Sequence, residues 1–76
     1  MAKFIEVTQM LNFKRAASSK TEFINVDYIV KYYEPNDDEL KYWGRTVTAI
    51  QIDKGDKVCE IIVKEPVDTI TKRINK

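Results

Sequence analysis

Histidine is absent from this 76-residue sequence, and cysteine occurs once. The first absence removes the commonest general base and the commonest metal ligand. The second removes any intrachain disulfide, zinc finger or iron–sulfur cluster. Glycine occurs only at Gly44 and Gly55, so neither a phosphate-binding loop nor a dinucleotide fingerprint can be written. No apolar run approaches the roughly 20 residues that span a bilayer. Glu6 falls where a signal peptide would be apolar, which argues against export. No acid–base pair, metal cluster or phosphate loop can be assembled, so the expectation is a cytoplasmic, non-enzymatic chain with no cofactor and no membrane partner.

Net charge is also nearly lacking, with 13 Lys+Arg against 12 Asp+Glu. A dedicated DNA binder usually carries a basic excess. The charges are segregated instead. Lys3, Lys14, Arg15 and Lys20 stand near the start, Glu34, Asp37, Asp38 and Glu39 in the middle, and Lys64, Lys72, Arg73 and Lys76 near the end. Such blocks suit a solvated surface and can steer a partner.

What is present is a globular balance, 43% hydrophobic and 33% charged residues, which argues against disorder. Residues 1–76 are expected to form a single small domain. A domain of that size buries only about 60% of its unfolded surface, so a partner would add to a thin stability margin.

Alternation with a period of two marks the strands. Residues 3–8 place Ile5 and Val7 on one side and Glu6 and Thr8 on the other. Residues 9–20 read as an exposed connection with at most one helical turn, and Ser18-Ser19 as a loop tip. Residues 21–24 form a short second strand, followed by a tight turn over 25–28 that Asn25 can cap. Residues 29–34 are a third strand, ended by Pro35, which cannot donate to a ladder. Residues 36–44 read as a polar loop.

Residues 45–53 form the fourth strand, apolar on both faces, and 58–63 the fifth. Between them Asp53-Lys54-Gly55-Asp56 is a hairpin turn in which Gly55 supplies a positive φ. A terminal helix follows, with Pro66 at its first position and Val67, Ile70 and Ile74 forming one apolar stripe. The expected fold is α+β: an antiparallel sheet of four to five strands with one C-terminal helix packed on one face. Its core should hold Ile29, Ile50, Ile52, Ile61, Val63, Val67, Ile70 and Ile74.

Several of these residues carry a family pattern. Phe23-Ile24-Asn25, Ile29, Thr48-Ala49-Ile50, Gly55 with Lys57, Val63-Lys64-Glu65-Pro66-Val67, Ile70 and Ile74 follow one another in order. In this pattern the stretch 22–74 resembles the small flagellar FlbD-like family and its bacterial and phage relatives. Pro66 stands where that family often has Ser, and the connections over 10–20 and 36–43 are longer here. The resemblance implies the fold and a bacterial or bacteriophage origin; it carries over no site residue.

The candidate contact residues are Tyr42, Trp43, Tyr32 and Tyr33, because aromatics recur at binding hot spots. Tyr42 and Trp43 could instead fold back as a lid over the core. Tyr28 with Lys31 and one of Tyr32 and Tyr33, which as strand neighbours face opposite ways, could stack single-stranded nucleic acid, but the acids that follow would repel phosphates. Asp37, Asp38 and Glu39 lack the alternating spacing of a cation loop. Cys59 has no electropositive neighbour to activate it, and Thr46, Thr48, Thr69 and Thr71 have no His. A protein–protein interaction module is therefore expected, with a nucleic-acid-binding accessory protein as the alternative. Val47, Ala49, Val58 and Ile62 form a second apolar surface away from the terminal helix. That surface calls for a cover; the Tyr42-Trp43 loop could supply one within the chain, and a second copy would supply it more completely, so a homo-oligomer is expected, a dimer first.

Overall fold

Five antiparallel strands form one open sheet in the computed structural model, which describes residues 3–11 and 19–76. The strands are β1 (Phe4–Met10), β2 (Ser19–Asn25), β3 (Ile29–Tyr33), β4 (Thr48–Asp53) and β5 (Val58–Val63). A 3-10 turn, Val26–Tyr28, joins β2 to β3; helix α1 (Asp37–Trp43) joins β3 to β4; helix α2 (Val67–Asn75) follows β5. The strand order is β2-β1-β5-β4-β3. β3, β4 and β5 form a meander, and β1 closes on β5 to bring the β1–β2 hairpin alongside.

The short-range expectations rest on turn and cap chemistry that the structure contains. Asn25 Oδ1 accepts from Asp27 N–H at 2.9 Å and opens the 3-10 turn. Gly55 has φ +96°, and its N–H donates to Asp53 Oδ1 at 2.8 Å. A side chain would be strained at that φ, which is why the turn needs glycine. Pro66 is the N-cap of α2 and not its first helical residue. Ser19 belongs to β2, so the loop-tip reading of Ser18-Ser19 fails at Ser19; residues 12–18 lie outside the described residues.

The expected polar loop over 36–44 is instead α1. Asn36 Oδ1 accepts from Glu39 N–H at 3.0 Å, and Gly44, at φ +73°, closes the helix by donating to Leu40 and Lys41 carbonyls. Asp37, Asp38 and Glu39 stand in the first turn, where the helix dipole favours negative charge. The domain thus has two α-helices among its described residues, and the single-helix expectation was incomplete.

One side of the sheet carries the main core. Ile5, Val7, Ile24, Ile50, Val63 and Ile70 are buried together, with Ile29, Ile52, Ile61, Ile74, Tyr32 and Val26 packed partly buried against them. Val67 is half-buried. On the other side Met10, Val47 and Ala49 are also buried. This corrects the expected open surface: Val47 and Ala49 are covered within the chain, where α1 lies beside Ile62, and only Val58 of that set is exposed. Phe4, opposite Asn25, and Phe23, opposite Glu6, are also exposed on that side, and Leu11 and Val30 are exposed as well.

β1 outruns β5. Its one bridge to β5 is Gln9–Val63, and Lys64 N–H donates to the Thr8 carbonyl at 2.9 Å. Beyond this point the exposed edge of β1 is completed by side chains from the α2 end of the chain. Thr8 N–H donates to Glu65 Oε1 at 2.9 Å, Thr8 Oγ1 to Glu65 Oε2 at 3.0 Å, and Arg73 Nη1 to the Glu6 carbonyl. Thr48, fully buried, donates its hydroxyl to the Glu65 carbonyl at 2.6 Å. Burial alone would raise the Glu65 carboxyl, but the bonds from Thr8, from its own backbone and from Arg73 outweigh it, and its pKa lies below the ordinary value. Glu65 therefore joins β1, β4 and α2 at one point.

Candidate functional site

The side of the sheet that carries Ala49 also carries Tyr33, Gln51, Glu60 and Ile62, because β3–β4 and β4–β5 pairing puts these residues in adjacent rows. α1 runs beside them. Its residues Asp38, Glu39, Tyr42 and Trp43 form one wall of an open groove, and Glu60 and Ile62 of β5 form the other. The groove encloses about 340 Å³. Tyr42 and Trp43 meet edge to face, with ring centroids 6.1 Å apart and planes at 85°, a preferred arrangement for aromatic pairs.

Three carboxylates, Asp38, Glu39 and Glu60, line this groove. Tyr33 stands at its border, where its hydroxyl donates to Glu60 Oε1 at 2.8 Å. That hydrogen bond, followed by partial burial and the negative charges of Glu60 and Glu39, raises the Tyr33 pKa above its ordinary 10.0. Gln51 Nε2 also donates to Glu60 Oε1, at 3.3 Å. Lys31 Nζ lies 5.2 Å from the Tyr33 ring centroid, within cation–π range. The groove is thus acidic and aromatic, and the Tyr33 ring at its border has the Lys31 ammonium within cation–π range.

Of the four residues singled out in the sequence, the structure groups Tyr33, Tyr42 and Trp43 around this groove. It separates Tyr32 from them. Neighbouring strand residues face opposite ways, and Tyr32 turns to the α2 side, half-buried, where it shares a 2.8 Å hydrogen bond with Thr71 Oγ1. Tyr32 therefore belongs to the sheet–helix packing and stands apart from the groove. Sequence reasoning missed Glu60; Ile62 was read as part of an apolar surface, and only the strand register brings both beside α1. The signal for α1 itself was present: Asn36 with Glu39 three residues later is a capping pattern that precedes Leu40, Trp43 and Gly44.

The remaining candidates lie apart from the groove. Cys59 is half-buried opposite Ile52. Among the described residues no three His, Cys, Asp or Glu side chains converge as metal ligands, and no helix is long and apolar enough to cross a membrane. No family model, curated protein or solved structure matches this chain.

Proposed function

We propose that this chain is a non-enzymatic protein–protein interaction module that receives a basic segment of its partner in the groove between α1 and β5. The observation that carries this reading is the meeting of Tyr42 and Trp43 with Asp38, Glu39 and Glu60 across one open groove. Aromatic faces attract guanidinium and ammonium groups, and carboxylates pair with them. The same charges would repel a phosphate backbone, and the inward turn of Tyr32 takes one ring out of a base-stacking row.

Trp43 is the single tryptophan of the chain and lines the groove, so its emission reports directly on binding. Titration with an oligoarginine peptide should change Trp43 fluorescence saturably, with an affinity that falls as salt rises. Glu60→Gln should weaken binding a few-fold, the usual scale of one partly exposed charge pair. Tyr42→Ala should weaken it further, and an oligothymidine control should leave the emission unchanged. A peptide response absent in the wild type, or identical in Glu60→Gln, refutes the groove as a basic-segment site. A saturable oligothymidine response favours the nucleic-acid reading.

A further inference from the structure

The two edges of the sheet are not alike. β3, at one edge, has a register shift between Ile29 and Lys31 and is followed by Pro35, devices that blunt an edge against further pairing. β2, at the other, runs for seven residues in unbroken register with β1 and contains no proline. Among the described residues no strand lies beyond it.

The direction of the β2 backbone groups follows from Thr8. Thr8 N–H and carbonyl bond to Glu65 and Lys64, away from β2. Its opposite number, Thr21, is therefore in a non-hydrogen-bonded pair, and the Thr21 backbone groups point outward. By alternation those of Ser19 and Phe23 point outward too, whereas Lys20 and Glu22 bond inward to β1. Ser19, Lys20, Thr21 and Phe23 are exposed, Phe23 at 67%.

We propose that β2 pairs antiparallel with β2 of a second copy of this chain, about a two-fold axis at Thr21, to make one continuous sheet. The charge pattern selects this register. With the axis at Thr21, Thr21 meets the partner's Thr21, Ser19 meets the partner's Phe23, and Lys20 meets the partner's Glu22 twice over by symmetry. The Lys20–Glu22 rows are the non-hydrogen-bonded ones, where side chains come closest. Each Lys20 already lies 3.4 Å from its own Glu22, so the dimer closes an alternating ring of two cations and two anions. Shifting the axis by one residue sets Lys20 against Lys20 or Glu22 against Glu22, which destabilises directly opposed strands. An axis at Phe23 sets the Glu22 carboxylate against Ile24. This contact is remote from the α1–β5 groove, because β1 stands between β2 and β5, and it does not depend on that groove's role.

Charge exchange tests the register. Sedimentation equilibrium of the wild-type chain at low salt and about 100 µM should show a species at twice the 8.9 kDa chain mass. Lys20→Glu alone and Glu22→Lys alone should each sediment at one chain mass, with circular dichroism unchanged. Mixed in equal amounts they should recover the two-chain mass, as should the Lys20→Glu/Glu22→Lys double variant by itself. A wild-type chain that stays at one chain mass overturns the proposal. So does a dimer that survives both single variants, or folded single variants whose mixture stays monomeric.

Discussion

Removing the Glu65 carboxylate should cost this fold about 2–4 kcal/mol, a large share of the stability of so small a domain. The magnitude follows from what the carboxylate touches. Its side chain is 13% exposed, and it accepts from Thr8 N–H, Thr8 Oγ1 and Arg73 Nη1 at 2.9, 3.0 and 3.3 Å. Hydrogen bonds to a charged group contribute about 1.5–3 kcal/mol each at most, and less where water replaces the lost partner. The Arg73 side chain is 40% exposed, so its ion pair adds only about 0–1 kcal/mol. Glu65→Ala leaves the β1 edge at Thr8 without its acceptor and should lower Tm by roughly 12–25 °C, scaled for a domain of this length. Glu65→Gln keeps one acceptor oxygen and should lose less.

The pH dependence carries the sign. The folded chain holds the Glu65 proton less tightly than the unfolded chain does, because the folded pKa is lowered from 4.5. Its contribution is full above the ordinary carboxylate pKa and is lost as pH falls through the lowered value. Urea unfolding of wild type and Glu65→Gln between pH 7 and about pH 2 should therefore show the two stabilities converging in acid. A loss below about 0.5 kcal/mol in Glu65→Ala, the range of an ordinary surface change, refutes the bridging role. A constant gap across the acid range refutes the titration argument.

Ile70 is fully buried in the main core, and Ile70→Ala should cost about 2–5 kcal/mol in the same unfolding assay; a loss under about 1 kcal/mol would mean that α2 contributes little to the core. Tyr33 should ionise above 10.0 because its hydroxyl is held by Glu60. Ultraviolet titration should show this late phenol, and Glu60→Gln should move it back toward the ordinary value; an unmoved titration would mean that the Tyr33–Glu60 bond does not persist in solution.

Elements written in neighbouring residues were legible without coordinates. The β4–β5 hairpin needs Gly55 at positive φ, β5 occupies residues 58–63 as its alternation implied, and the Val67–Ile70–Ile74 spacing marks α2. Asn25 likewise announced its turn. The failure at α1 was a matter of weighting: Pro35-Asn36-Asp37-Asp38 suits a loop by composition, but an asparagine cap, acids on the first turn and Gly44 at the end suit a helix equally. Tertiary packing decided between them, because α1 lies along the side of the sheet that carries Ala49 and Ile62.

The remaining features lay outside what any local pattern encodes. Ile5 and Val7 announce a strand with one apolar face, but not that this strand pairs with β2 along its length and with β5 only near its end. Glu65 reads as a helix-start acid, yet its main partner is Thr8, 57 positions away. Glu60 reads as the polar member of an alternating strand, and only the register of β5 beside α1 turns it into a groove wall. Outside α1, local sequence determined which segments extend, turn or coil, since those choices rest on dihedral preference and periodicity within a few residues. Which edges meet, which carboxylates converge and which apolar face stays open were decided by long-range closure of the sheet, where burial and hydrogen-bond satisfaction select among pairings that the local pattern leaves equivalent.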